Sequence, residues 1–295
     1  MKNNIQGTGV ALVTPFKENT EIDYNALNVL IENVITGGAD YIVALGTTAE
    51  TPTLTKEEKK ELVKFIMEKN GDRVPVVLGV GGNNTAETVK CFGDYDMDKI
   101  AAVLSVTPYY NRPSQRGLYE HYKSVAQASP KPVMLYNVPG RTGVNMSAET
   151  TLKLALEVEN IFAVKEASGS LSQISYILRD RPENFMVISG DDNMALPLIA
   201  LGGDGVISVA ANAFPEKFCR MVKLCLTGDF TNAAILQMSL LGCIDSLFLE
   251  GNPVGIKTAL AVKGVMSNTV RLPLVSGSDE LRRLFEDAIN KYELC

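Results

Sequence analysis

The chain has 295 residues, of which 46% are hydrophobic and 21% charged, a composition typical of a globular protein with a large core. Its formal net charge is -6, and its basic residues occur in runs no longer than Lys59-Lys60 or Arg282-Arg283. Binding to the phosphate backbone of a nucleic acid therefore has no electrostatic support.

The sequence favours a reducing, cytoplasmic location. Residues 1–6 lack the apolar core of a signal peptide, and no run of about 18 apolar residues is evident that could span a bilayer. The cysteines are odd in number and lack the C-x-x-C spacing of a zinc site or redox pair, so we expect reduced thiols that mostly fill the core. They are Cys91, Cys219, Cys225, Cys243 and Cys295.

Eight apolar, β-branched runs recur along the chain, and each precedes a stretch with helical periodicity. This pattern predicts repeated βα units, and the nearly continuous apolar content suits parallel strands that are covered by helices. The runs are residues 9–14, 41–45, 76–80, 102–106, 133–136, 162–165, 186–189 and 205–209.

Residues that favour helix starts follow several of the runs. Thr55 and Ser170 begin patterns that fit a capping box, Asp23 and Ser147 are candidate N-caps, and Pro215 suits the first turn of a helix. Eight βα units within about 225 residues match a (β/α)8 TIM barrel better than an open doubly wound sheet. We therefore predict a barrel over residues 1–225.

Beyond the eighth unit the apolar spacing is helical only, over residues 230–249, 255–264 and 278–292. No low-complexity segment or long linker separates this part from the barrel. We predict an added C-terminal helical segment, residues 226–295, that packs on the barrel or on a neighbouring subunit.

Two other features suggest little chemistry of their own. His121 is the only histidine and lies in a helix-like stretch, so we expect a packing or surface residue rather than a metal ligand or triad member. The glycines of residues 79–84 resemble a dinucleotide-binding loop only superficially, because Asn84 replaces the third glycine and the preceding run is the third of the fold.

Lys165 is, by sequence, the one lysine in a costly position, because it ends an apolar run that predicts a buried strand. A buried ammonium group must be paired or lose its proton. A neutral lysine amine attacks ketones, and the product is a Schiff base. Pairing with Glu166 is the alternative, and this segment alone leaves both open.

Polar residues that could take part in the same chemistry as Lys165 follow other apolar runs. The active site of such barrels lies at the carboxyl ends of the strands, so Thr47, Thr48, Tyr136 and Arg141 should share one mouth with Lys165. The threonines could bind a carboxylate, Tyr136 could move protons, and Arg141 could grip a second carboxylate. A threonine-rich turn, a packing tyrosine and a solvated arginine are the respective alternatives.

Three motifs occur in order at the ends of the second, fifth and sixth runs: Gly46-Thr47-Thr48-Ala49-Glu50, Tyr136-Asn137-Val138-Pro139-Gly140-Arg141-Thr142-Gly143 and Val164-Lys165-Glu166-Ala167. With them the chain resembles the dihydrodipicolinate synthase family, the lysine-branch members of the pyruvate-dependent class I aldolases. The resemblance covers nearly the whole chain.

The resemblance implies a Schiff base between Lys165 and pyruvate, whose carboxylate is held by Thr47 and Thr48. Tyr136 would donate and accept protons, and the backbone near Ile207 would line the pyruvate pocket. The implied reaction condenses pyruvate with L-aspartate 4-semialdehyde to 4-hydroxy-tetrahydrodipicolinate, the first committed step of the diaminopimelate branch of lysine biosynthesis. No metal or organic cofactor is implied.

The resemblance also implies a second subunit. Tyr110 would reach into the neighbour's site and complete a proton relay with Tyr136 and Thr47, while Arg141 would hold the carboxylate of the semialdehyde. A dimer would be the minimal active unit, and family members are usually homotetramers built from dimers.

Some positions depart from the family pattern. Ala49 stands where many members have glycine, and Gly255 replaces a common proline.

The third departure concerns feedback inhibition by lysine. Asn83, Glu87 and Tyr109 match the family's allosteric pocket, but Lys56 and Lys59 stand where sensitive members often carry histidines. Two added positive charges should weaken binding of a cationic effector, so we predict poor sensitivity to lysine.

Two alternative functions remain. A lyase for N-acetylneuraminate or a 2-keto-3-deoxy sugar acid would share the lysine and the tyrosine, but it would generally lack Arg141, since its substrate is a polyhydroxylated chain. A non-catalytic keto-acid binding protein would have little reason to keep Lys165, Tyr136, Tyr110 and Thr47 together with this arginine.

Overall fold

The computed structural model describes residues 5–292, apart from the side chain of Tyr292, so Cys295 lies outside the described residues. Strands occur at all eight predicted positions. They are β1 (Gly7–Ala11), β2 (Tyr41–Ala44), β3 (Val76–Gly79), β4 (Ala102–Val106), β5 (Val133–Asn137), β6 (Ile161–Glu166), β7 (Met186–Ser189) and β8 (Gly205–Ser208).

Helices follow the strands, with short 3-10 turns at Thr47–Ala49, Thr51–Thr53, Cys91–Asp94, Asp192–Met194 and Ala210–Asn212. The helices up to the end of the eighth unit are α1 (Tyr24–Thr36), α2 (Lys56–Asn70), α3 (Thr85–Lys90), α4 (Gln115–Ala128), α5 (Pro139–Thr142), α6 (Ala148–Glu157), α7 (Leu171–Asp180), α8 (Ala195–Ala200) and α9 (Pro215–Leu226).

The predicted helix starts are confirmed with one change. Asp23 and Ser147 cap α1 and α6, and Thr55 forms a complete capping box on α2. Ser170 accepts a bond from the Gln173 amide, but it is a simple cap, because the Gln173 side chain donates to Glu166 instead.

The strands form a closed parallel barrel in chain order, which confirms the predicted fold class. β8 pairs with β1 through Gly205 and Gly7, and this last pairing closes the barrel. Because side chains alternate along a strand, one set fills the interior and the other packs under the helices. The interior set includes Ala11, Tyr41, Val43, Val77, Leu104, Met134, Tyr136, Ala163, Ile188 and Ile207.

The chain ends in the predicted helical segment, with α10 (Phe230–Leu249), α11 (Val254–Val262) and α12 (Asp279–Tyr292). α10 packs against α8, α9, α11 and α12. Apolar side chains from this segment belong to the same buried cluster as those between the strands and the outer helices, among them Leu240, Ile244 and Phe285. The segment is therefore packed on the barrel.

Among residues 5–292, α10 is the one helix long and apolar enough to cross a membrane by length and composition, with a mean hydropathy of 1.5. The helix is not the continuous apolar run that the sequence expectation excluded, since it includes Asn232, Gln237 and Asp245. Its buried side, which includes Leu240, Cys243 and Leu247, contacts neighbouring helices. Core helices of globular folds pass the same test.

Gly255, the position where a proline was expected, lies where α11 touches α10. A Cβ atom at this residue would lie 2.2 Å from the carbonyl oxygen of Leu247 and 2.6 Å from its carbonyl carbon. The backbone of the two helices thus approaches more closely than any other residue would permit. The glycine has a packing reason in this chain.

Candidate active site

The carboxyl ends of the strands surround a cavity of about 320 Å³. Its lining contains all five residues that the sequence predicted to share one mouth: Thr47, Thr48, Tyr136, Arg141 and Lys165. They come from the ends of β2, β5 and β6 and the loops that follow. The barrel, rather than proximity in sequence, brings them together.

Lys165 lies against Tyr136. The two residues are partners in the β5–β6 register, both point into the barrel, and the Lys165 Nζ is 4.2 Å from the centroid of the tyrosine ring. The lysine is only 6% exposed, and within residues 5–292 it forms no ion pair. A buried amine beside a phenol is the pair that Schiff-base chemistry requires.

Glu166 is not the partner of Lys165, so that alternative is wrong. As the next residue on β6 it points outward, where both carboxylate oxygens accept from Asn137 Nδ2 at 3.1 Å. It also accepts from the Ser168 amide at 2.8 Å and from Gln173 Nε2 at 3.0 Å. These bonds tie the ends of β5 and β6 to α7 behind the site.

The turn Thr47–Ala49 forms the wall that was predicted to bind a carboxylate. It is closed by bonds from the Ala49 and Glu50 amides to the carbonyls of Gly46 and Thr47, and Thr14 Oγ1 donates to the Ala49 carbonyl at 2.8 Å. The left-handed residues of this loop are Leu45, with φ of 54°, and Glu50, with φ of 56°, and Ala49 is not among them. The methyl group of Ala49 is therefore compatible with the turn.

Asn252, which lies between two predicted helices and had no predicted role, connects two parts of the site. Its Nδ2 donates to Thr48 Oγ1 at 3.0 Å, and its carbonyl accepts from Arg141 Nη2 at 3.1 Å. One residue of the C-terminal segment thus contacts both candidate carboxylate-binding elements. No local pattern could have revealed this, because Thr48 and Asn252 are 204 positions apart.

The cavity also has acidic lining residues that the sequence analysis missed. Asp191, Asn193 and Asp245 line the cavity, and Asn193 Nδ2 donates to Asp245 Oδ1 at 2.9 Å. Beneath them Asp192 is buried. Burial raises its pKa to about 6, although the Val209 and Ala210 amides donate to the carboxylate.

Two predicted residues lie elsewhere in this chain. Tyr110 is 89% exposed, has φ of 71° and lines neither this cavity nor its neighbour. Ile207 is buried in the barrel interior below the mouth, and Val209 takes the place at the cavity wall that was expected near Ile207.

A second cavity, of about 370 Å³, shares Thr47 and Tyr136 with the first. Of the predicted allosteric residues, Glu87 and Tyr109 line it, as do Lys56 and Lys59.

The third predicted residue, Asn83, lies beside this second cavity, where its carbonyl accepts from Asn111 Nδ2 at 2.9 Å. Lys56 pairs with Asp94 at 2.6 Å. Both lysines therefore line this cavity, and Lys56 has an acidic partner in Asp94.

The prediction that Lys165 is the one lysine in a costly position is wrong. Lys257, in α11, is 0% exposed. The same signal, a lysine within an apolar run, was present at residues 254–262, but that run was interpreted only as a packing helix.

A closed (β/α)8 barrel whose mouth presents a buried lysine beside a tyrosine defines a class, the barrel enzymes that act through a lysine amine. The model of the Dihydrodipicolinate synthetase family matches residues 4–292, and the chain belongs to this family.

Individual relatives agree with the family assignment. The chain is 52% identical over 272 residues to the 4-hydroxy-tetrahydrodipicolinate synthase of Parabacteroides distasonis, covering 92% of each protein. The crystal structure of dihydrodipicolinate synthase from Aquifex aeolicus matches with a TM-score of 0.94 and 43% identity, over 98% of this chain and 99% of the other. A structure described as a monomeric dihydrodipicolinate synthase variant matches with a TM-score of 0.96 and 36% identity, over 99% and 98%.

Proposed function

We propose that the protein catalyses the 4-hydroxy-tetrahydrodipicolinate synthase reaction, in which pyruvate condenses with L-aspartate 4-semialdehyde. The enzyme is then a lyase of the diaminopimelate branch of lysine biosynthesis. The observation that carries the proposal is a single cavity that holds the Lys165 amine, the Tyr136 phenol, the Thr47–Thr48 hydroxyls and the Arg141 guanidinium.

The pyruvate half of the reaction uses the lysine and the tyrosine. The Lys165 amine adds to the C2 carbonyl of pyruvate, and the carbinolamine loses water to give an iminium. Tyr136, whose ring lies beside the lysine amine, exchanges the protons of these steps and then accepts one from C3 to form the enamine. Thr47 and Thr48 hold the pyruvate carboxylate, for which their hydroxyls and amides are suitable donors.

The second half joins the two substrates. Enamine C3 attacks the aldehyde carbon of the semialdehyde, whose carboxylate is held by the Arg141 guanidinium. This bond restores the iminium at C2, and the aldehyde oxygen becomes a hydroxyl by taking back the proton that Tyr136 accepted. The α-amine of the new chain then attacks C2, displaces the Lys165 amine and closes the ring. This step releases the enzyme without hydrolysis.

Relatives and site both favour this reaction over the sugar-acid lyases. Arg141 is anchored at the mouth by the Asn252 carbonyl, where it can meet a substrate carboxylate. A polyhydroxylated chain offers no such group at that point. Comparing turnover of the semialdehyde with cleavage of N-acetylneuraminate separates the two.

The direct experiment is borohydride reduction in the presence of pyruvate, followed by peptide mass analysis and a coupled assay with the semialdehyde. We expect a covalent adduct on Lys165, no adduct in Lys165→Arg, and an unchanged adduct in Lys17→Ala, a matched control at an exposed position. A wild-type protein that forms no adduct would rule out the mechanism and would favour a keto-acid binding protein.

We further propose that a homodimer is the smallest active unit and that homotetramers form from it. Tyr110 supports this, because an 89% exposed tyrosine in a left-handed conformation is available to a second subunit. A cytoplasmic location is part of the same proposal and is supported by Cys91, Cys219, Cys225 and Cys243, which are all free thiols.

A further inference from the structure

A buried ion pair joins the C-terminal segment to the loop that follows β2. The Lys257 ammonium in α11 pairs with the Glu50 carboxylate, and both side chains are 0% exposed. Lys257 Nζ also donates to the Thr269 carbonyl at 3.0 Å and lies 4.0 Å from the centroid of the Phe16 ring. The Arg271 amide donates to Glu50 Oε2 at 3.0 Å. Lys257 and Arg271 thus both contact the Glu50 carboxylate.

Glu50 comes directly after the turn that carries Thr47 and Thr48. Its amide closes that turn by donating to the Thr47 carbonyl, and its own carbonyl accepts from the Thr53 amide at 2.9 Å and from Thr53 Oγ1 at 3.0 Å. Its φ of 56° is a left-handed backbone conformation, which residues other than glycine rarely adopt unless their surroundings hold them there. The surroundings that hold it are Lys257 and Arg271.

Stability alone is a poor reason for this pair. Desolvation of two buried charges offsets most of their attraction, and apolar replacements of similar shape are often neutral or stabilising. A charged pair does fix direction, because each side chain must point at the other. Burial lowers the pKa of Lys257 to about 8, and the Glu50 carboxylate opposes this shift, so the ammonium form is present at neutral pH.

We propose that Glu50 and Lys257 are positioning residues for pyruvate, which hold the Thr47–Thr48 donors at a fixed distance from Lys165. Neither side chain lines the cavity, so each acts through the turn and not on the substrate. The proposal rests on the function proposed above. It makes the C-terminal segment part of the pyruvate site.

The test compares Lys257→Met and Glu50→Gln with the wild-type enzyme in steady-state kinetics. We expect the KM for pyruvate to rise about 10-fold or more, with kcat within about 3-fold and the KM for the semialdehyde within about 2-fold. The pyruvate concentration that gives half-maximal borohydride trapping should rise in parallel. Loss of fold alone would lower the active fraction and leave both KM values unchanged.

Arg181→Met is the matched control. Arg181 pairs with Asp204 before β8, at the end of the barrel opposite the cavity, and both side chains are largely buried. This control should lower the melting temperature and leave the pyruvate KM unchanged. If a single variant does not fold, the double variant Glu50→Gln/Lys257→Met removes both charges together and gives the same measurement.

The outcomes are distinct. A wild-type enzyme that is not trapped with pyruvate removes the proposed function and this inference with it. Normal trapping of the wild type, combined with an unchanged half-saturating pyruvate concentration in all folded variants of the pair, removes the positioning role alone.

Discussion

At the scale of single residues, the space for the Lys165 side chain depends on Gly190 at the end of β7. A Cβ atom there would lie 3.0 Å from Lys165 Cε, 3.2 Å from its Cγ and 2.7 Å from the Ala167 Cβ. We expect Gly190→Ala to displace the amine and lower kcat about 10–100-fold, because small misplacements of reacting groups are costly. Steady-state kinetics and the rate of borohydride trapping measure this.

The control for that variant is Gly242→Ala in α10, where an added Cβ meets nothing within 4 Å. It should keep wild-type kinetics. A Gly190→Ala enzyme with wild-type trapping would show that the lysine does not need this space.

His121, the only histidine, gives a pH prediction at the same scale. It is a packing residue, 5% exposed, with Nδ1 2.9 Å from Thr85 Oγ1. Burial lowers its pKa to about 4. Below about pH 6.5 the imidazole is therefore protonated in the unfolded chain but stays neutral in the folded chain. The free energy of unfolding should fall as the pH drops from about 6.5 towards 4, by up to about 3 kcal/mol.

Urea unfolding between pH 7 and 4.5 measures that loss, and His121→Asn should reduce it. NMR titration follows the one imidazole signal directly. An imidazole that titrates near pH 6.5 in the folded protein would contradict the prediction.

At the scale of elements, the contact between α10 and α11 depends on Gly255. Since the nearest atoms to an added Cβ are backbone atoms of Leu247, the helices must separate to accept Gly255→Ala. We expect destabilisation by about 1–3 kcal/mol, measured by chemical unfolding. Gly242→Ala, in the same pair of helices, should be neutral or slightly stabilising, and equal effects of the two changes would count against the close approach.

The elements also show why some predictions from sequence succeeded. Strand and helix positions depend on local apolar spacing and on caps such as Asp23 and Thr55, so a single segment contains the information. The closed barrel followed from the number and order of those segments. Roles that depend on contacts between distant segments, such as Asn252 with Thr48, leave no trace in local spacing.

At the scale of the whole molecule, the proposed dimer predicts complementation between inactive variants. Lys165→Ala lacks the nucleophile, and Tyr110→Phe lacks the phenol that is donated to the neighbour. In a mixed dimer one site combines the intact Lys165 of one subunit with the intact Tyr110 of the other, so activity should return on mixing. If activity does not return after confirmed subunit exchange, Tyr110 acts in the site of its own subunit or takes no part in the reaction.

The second cavity predicts the response to the end product. Lys56, Lys59 and Lys90 line it against Glu87 and Asp94, so a cationic effector meets an excess of positive charge. A weakly bound effector has a Kd above about 1 mM, so we expect about 1 mM L-lysine to leave most of the activity intact. The double variant Lys56→Ala/Lys59→Ala should be more sensitive to L-lysine than the wild type. An inhibition curve with a sub-millimolar midpoint for the wild type would overturn this.

The sequence by itself determined the barrel, the C-terminal helices and five of the residues that line the cavity, because periodicity, strand order and motifs are carried by contiguous residues. It left open whether Lys165 pairs with Glu166, and it gave Lys257 no role. Only the tertiary structure decided both, since side-chain alternation turns Glu166 outward and packing of α11 brings Lys257 to Glu50. Such charge pairs are set by which distant segments meet, and a linear pattern does not record that.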